Sequence, residues 1–250
     1  MRRVCWAASL GDCDGPISDE HPISQAVFDT TELLVQGPGW PSDGRERPLK
    51  TLASTCLCCR HNNLLRSVDA EVGKFAKKLR ALNLKRAKGT IHMNGWVLER
   101  WCLKALLGIV ANGWHRNGGG TKIDLGVAPV ELAAAAFGRN VLGQDRGLHV
   151  VTYTADVSIG VEAVSWKVLV ASADASRLVG LLIALPPATF ALTLVPGDPT
   201  PLLRQLSIAQ IESWANVQAH LRPAKLDLRA RESGTHIQVF FDWAAGADAD

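Results

Sequence analysis

Six residues dominate what this chain can fold into: the thiols Cys56, Cys58 and Cys59, closely followed by His61, Asn62 and Asn63. Three thiols within four residues, running directly into a histidine, form a metal-ligand pattern, because soft thiolates and imidazole are the donors of tetrahedral zinc. About 35 residues upstream lies Ser18-Asp19-Glu20-His21-Pro22-Ile23-Ser24, an acid–histidine pair. The order acid–histidine, thiol cluster, His-Asn can build two metal sites: one of soft donors, and one for a hard cation beside a basic histidine.

The chain has 250 residues, 47% hydrophobic and 20% charged, enough to bury a core in one or two domains. Residues 1–88 hold 14 Lys and Arg against 10 Asp and Glu, whereas residues 89–250 hold 13 against 14. The basic excess therefore shares a half with five of the six cysteines. We expect two domains: 1–88 with the thiols and a basic helix, and 89–250 as an α+β domain of unassigned role. No run of 18 apolar residues appears, so no membrane-spanning helix is expected and a membrane is not among the expected partners. The first ten residues lack the apolar run of a secretory signal, which makes the cytoplasm the expected location. There, clustered cysteines serve more often as ligands than as disulfides.

Apolar residues at three- and four-residue spacing from Leu64 to Leu84 predict a helix with a break near Arg66 and a stop at Gly89. Lys74, Lys77, Lys78, Arg80, Lys85 and Arg86 make its later part a candidate phosphate-binding surface. Helices are also expected over 23–35, 95–110, 129–137 and 207–221, and a Gly- and Pro-rich loop over 36–50. Strands are expected over 149–153, 164–171, 178–185 and 190–195, with a hairpin over 225–231 and 235–243. Glu99-Arg100 reads as an internal ion pair or a contact between domains. Cys102, inside an apolar helix, reads as core. Gly118-Gly119-Gly120-Thr121-Lys122 lacks phosphate-loop spacing and reads as a turn.

The segment Ser18–Ser24 together with Cys58-Cys59-Arg60-His61-Asn62-Asn63 and Asp69 resembles the HNH endonuclease family. More narrowly, it resembles uncharacterised bacterial HNH-like proteins with Ser-x-Glu-His and Cys-x-x-His-Asn segments. The resemblance covers residues 5–75. It implies a zinc-stabilised ββα-metal module followed by a mixed α+β domain. It also implies a metal-dependent endonuclease that hydrolyses phosphodiester bonds of nucleic acid, with DNA the expected substrate. His21 would be the general base, and Glu20 and Asn62 would hold Mg²⁺ or Mn²⁺. Asp69, two helical turns beyond Asn62, would orient a ligand or join the site. The chemistry needs these types, because neutral imidazole accepts a proton from water and a hard cation stabilises the leaving oxygen.

For the structural Zn²⁺ the resemblance favours Cys5, Cys13, Cys58 and His61. Cys56 and Cys59 form a second Cys-x-x-Cys register that the spacing leaves open. The seven residues between Cys5 and Cys13 exceed the usual ligand gap. One element of the family pattern is missing: no Asn precedes the second thiol pair, where it would brace the loop of the base histidine, and Ser54 and Thr55 stand in its place. A second reading follows from that gap, namely a catalytically degenerate zinc-stabilised scaffold that binds nucleic acid or protein. The second domain would supply targeting, oligomerisation or a regulatory partner. A role in phage defence would fit such a nuclease by analogy alone.

Overall fold

The computed structural model describes residues 4–34, 45–113, 128–153, 164–171, 177–204, 217–230 and 235–244. The Gly118–Lys122 turn lies outside them. Within them the protein is mixed α+β, with five α-helices and twelve strands.

The N-terminal region is built on an antiparallel pair, β1 (Ile17–Glu20) and β4 (Ser54–Cys58), which runs straight into α1 (Cys59–Leu64) and α2 (Arg66–Leu84). The helices part at Leu65, where the sequence places the break, and six buried residues between Val68 and Leu79 form the inner face of α2. The helix stops at Leu84, and Gly89 lies instead in the next strand. Residues 23–35 are not a helix. They form a 3-10 turn over Gln25–Val27 and a strand β2 (Glu32–Leu34), paired with β3 (Glu46–Pro48). Thr30 explains this: its hydroxyl bonds both the carbonyl and the N–H of Glu32, which competes with helical bonding. The expected loop over 36–50 likewise gives way at its end to β3 and a 3-10 turn at Leu49–Leu52.

Beyond residue 88 come β5 (Lys88–Asn94) and α3 (Gly95–Ala111), a helix buried on nearly every side, whose N-cap Asn94 accepts from the Val97 N–H. After α4 (Val130–Ala136) comes a five-stranded antiparallel sheet. Its order is β10 (Val217–Leu221), β6 (Gly147–Tyr153), β9 (Ala188–Thr193), β8 (Leu178–Leu185), β7 (Ser165–Val170). β8 and β9 are buried on both faces, as their unbroken apolar runs require. The helix expected over 207–221 is corrected at its end: Val217–Leu221 pairs with β6 as an edge strand, and its alternating burial is that of a strand. Residues 207–216 lie outside the described part. A short α5 (Thr200–Arg204) precedes β10.

A three-stranded sheet ties the last two described strands to β5. In it β12 (Thr235–Asp242) pairs antiparallel with β11 (Lys225–Ala230) and parallel with β5. The boundary expected at residue 88 falls at the first residue of β5. The larger of the two buried apolar clusters among the described residues runs across it, from Cys5 to Phe241. Glu99 pairs with Arg222 rather than Arg100, taking two guanidinium N–H groups at 2.9 Å and the Leu148 N–H at 2.8 Å. Two glycines allow the tight packing of helices on residues 21–27. A Cβ on Gly73 would lie 2.4 Å from that of Ala26, and one on Gly108 would lie 2.8 Å from that of Pro22.

Candidate metal centre and the carboxylate cluster beside it

Cys58 is the N-cap of α1 and His61 sits in its first turn, so the strand-to-helix corner brings these two ligand types together. The other two ligands come from the N-terminal segment. Trp6 N–H bonds the Cys56 carbonyl (2.9 Å), laying Cys5 beside β4. A 3-10 turn at Ala8–Leu10 then takes up the long gap and ends on Gly11 in the left-handed region (φ 78°), which swings Cys13 back. The loop is fixed over α1 by Cys59 N–H to the Pro16 carbonyl (2.9 Å) and Arg60 N–H to the Asp14 carbonyl (3.2 Å).

The result is a group that can hold a metal ion: the donor atoms of Cys5, Cys13, Cys58 and His61 all lie within 4.8 Å of one another. His61 Nδ1 is 3.4, 3.7 and 3.2 Å from the sulfurs of Cys5, Cys13 and Cys58. A tetrahedral ion with metal–sulfur bonds of ~2.3 Å and a metal–nitrogen bond of ~2.0 Å needs such edges of about 3.5 Å. Burial pushes the Cys5 thiol up to about 12, and it also raises Cys13. At Cys58 burial acts in the same direction, but hydrogen bonds from the His61 and Asp14 backbones outweigh it and the thiol is lowered. Three crowded thiols ionise together only around a cation, so the donor set and its electrostatics fit a metal.

Cys56 and Cys59 fall outside the group. Cys56 is buried, and burial raises its thiol to about 11. Cys102 is fully buried, as expected.

Asp12 was not singled out by spacing, although it adjoins Cys13. Its Oδ1 lies 2.9 Å from His61 Nε2, which leaves Nδ1 directed at the thiols. Arg139 hydrogen-bonds Asp12, and that contact, with help from His61, holds its carboxyl near 2 against a burial effect of opposite sign. Phe137, at the end of α4, packs on the imidazole with ring centres 4.9 Å apart. The second half of the chain therefore clads the metal-ligand group.

The acid–histidine segment has a different fate. A bulge between Ser18 and Glu20 turns the Glu20 side chain inward, to 4% exposure. There it forms an ion pair with Lys104 of α3, itself 1% exposed. The Lys104 ammonium also lies 2.7 and 2.9 Å from the two Asp69 oxygens and 3.0 Å from the His21 carbonyl. Ser24 donates to Asp69 and accepts from the Trp101 indole at 2.7 Å. Glu20 and Asp69 thus meet around a lysine. Burial raises the Glu20 carboxyl, and Lys104 offsets only part of that effect. The signal that Lys104 carries in the sequence is that it is the one charge in the apolar run Trp101–Val110.

His21 is half-buried. Burial first, then Lys104, lowers its imidazole below the ordinary value. The Gln25 amide donates to its Nε2 at 2.8 Å. Asn62 donates to Ser18 Oγ (3.0 Å) and the Asp19 carbonyl (2.9 Å), tying α1 to β1. Among the contacts of the described residues, none joins Asn62 to the Glu20 or His21 side chains. Ser54, in the place of the missing Asn, is hydrogen-bonded to Asn112, and the His21 carbonyl is held by Lys104 instead.

On α2 and the turn after it, Lys74, Lys77, Lys78, Lys85 and Arg86 are exposed. Arg80 is half-buried, pairs with Asp29 at 3.2 Å and donates to the Val27 carbonyl. No helix of the described residues is long and apolar enough to cross a membrane. No family model, curated protein or solved structure matches the chain.

Proposed function

We propose that this protein is a nucleic-acid-binding module on an HNH-like scaffold, stabilised by a structural zinc at Cys5, Cys13, Cys58 and His61. The observation that carries this reading is Lys104. Its ammonium is already paired with Glu20, the carboxylate expected to hold a catalytic Mg²⁺ or Mn²⁺, and with Asp69 beside it. A divalent ion would have to displace a buried lysine from both. The exposed lysines of α2 supply the charge for phosphate contacts.

The metal-dependent endonuclease is the second reading, favoured by His21. Its lowered imidazole favours the unprotonated form that a general base requires. One experiment separates the two. Purified protein is incubated with single- and double-stranded DNA and RNA in Mg²⁺ or Mn²⁺, and binding is followed by fluorescence anisotropy across a salt series. The binding reading expects intact substrates, affinity that falls steeply with salt, and binding unchanged in His21→Ala. Cleavage that disappears in His21→Ala would establish the nuclease instead.

A further inference from the structure

The sheet β11–β12–β5 has one face on the core and one in solvent. Ile91, Met93, Leu226, Leu228, Ile237, Val239 and Phe241 are buried beneath it. The alternate residues are half-buried or exposed and fall into cross-strand rows fixed by the register. Lys225, Phe240 and His92 form one row across the three strands, and Arg229, His236 and Lys88 form another.

In the first row the His92 and Phe240 rings stack at 5.5 Å with 18° between planes, and the Lys225 ammonium sits 5.5 Å from the Phe240 ring centre. Phe240 keeps 36% of its surface open, and among the described residues it is the aromatic member of the exposed large apolar side chains. The second row carries two cations and an imidazole. The turn leading into β5 adds Lys85 and Arg86 at the same end. Against these five cations the rows between and beyond set two carboxylates: Asp227, which pairs with Lys225 at 3.1 Å and faces His236 at 3.4 Å, and Asp242.

An open aromatic pair flanked by cations on a solvent-facing sheet complements one kind of ligand: bases that can lie on a ring while their phosphates meet ammonium and guanidinium groups. Paired bases in a duplex do not offer their faces. We propose that this sheet face binds single-stranded nucleic acid, with His92 and Phe240 as the stacking platform and Lys225, Arg229 and Lys88 as phosphate contacts. The inference deepens the nucleic-acid-binding reading by giving it a surface and a ligand form.

The test uses the full chain and fluorescein-labelled 20-nucleotide dT and rU oligomers, a 20-base-pair duplex and poly-glutamate. Wild type should prefer the single strands. Phe240→Ala should weaken them by about tenfold or more, with Phe240→Trp restoring affinity. Lys225→Ala and Arg229→Ala should each reduce the salt slope by about 0.7. Zinc content and circular dichroism verify folding, and Phe240→Leu carries the test if Phe240→Ala does not fold. Single-strand binding that survives Phe240→Ala but is lost in Lys77→Ala/Lys78→Ala overturns this surface and leaves the binding reading standing. Equal preference for duplex, or equal competition by poly-glutamate, also overturns it. A wild type that binds no oligomer at low salt removes both.

Discussion

Two clusters of ligand-type side chains lie at either end of β4, and they solve the same electrostatic problem differently. The Cys5, Cys13, Cys58 and His61 group crowds three thiols and an imidazole with no protein cation among them. The Glu20 and Asp69 group crowds two carboxylates around the ammonium of Lys104. The first can be balanced by a bound metal ion. The second has its cation within the chain. Ligand types at suitable spacing are therefore not enough to predict a metal, because the counter-ion can come from a residue far away in sequence.

The largest effect should come from removing the metal. Structural zinc contributes roughly 10–16 kcal/mol to small zinc domains. Chelation, or Cys58→Ser, should therefore unfold the region around β1, β4 and α1, seen as lost amide protection by hydrogen exchange. Chelation should take nothing from the carboxylate cluster, so survival of α2–α3 protection would sharpen the contrast.

Next in size is Lys104→Met. It strands the buried Glu20 carboxylate and leaves the half-buried Asp69 without its cation, and should cost about 3–5 kcal/mol in denaturant unfolding. Adding Glu20→Gln should recover part of that loss. A Lys104→Met protein as stable as wild type would break the comparison, since the lysine would then not be the counter-ion.

Asp12→Asn should act only on the first cluster. Loss of the carboxylate behind His61 should weaken metal binding by about 10–100-fold, measured by competition with a chromophoric chelator. The fold at saturating zinc should be unchanged.

The smallest effect concerns pH. His21 has its folded pKa below the unfolded value of ~6.5. The neutral form is favoured in the fold, so its contribution is full above ~6.5 and is lost as pH falls through the folded value. Lys104→Met removes one of the lowering causes, so the His21 imidazole should titrate at higher pH in an NMR titration. No change would mean that Lys104 does not act on the His21 loop.

Much of the architecture was legible because it rests on periodicity. The helix from Arg66, the buried helix from Gly95 and strands β6 to β9 all follow apolar patterns that burial enforces. The expectations that failed were local contests. The Thr30 hydroxyl bonds the Glu32 backbone within residues 23–35, and 217–221 reads as a helix until β6 pairs with it. The metal-ligand group was legible in residue type, and geometry separated Cys58 from Cys56. What sequence spacing did not show was the long-range partners. Lys104 is 35 residues from Asp69, and Arg139 and Phe137 reach the His61 side from the second half of the chain.

The most direct test of the account is metal content per chain after equilibration with excess Mn²⁺ and gel filtration, in wild type and Glu20→Gln. The account predicts one zinc and no manganese in both proteins. Manganese retained by wild type and lost in Glu20→Gln would contradict it and place a divalent ion where Lys104 now stands.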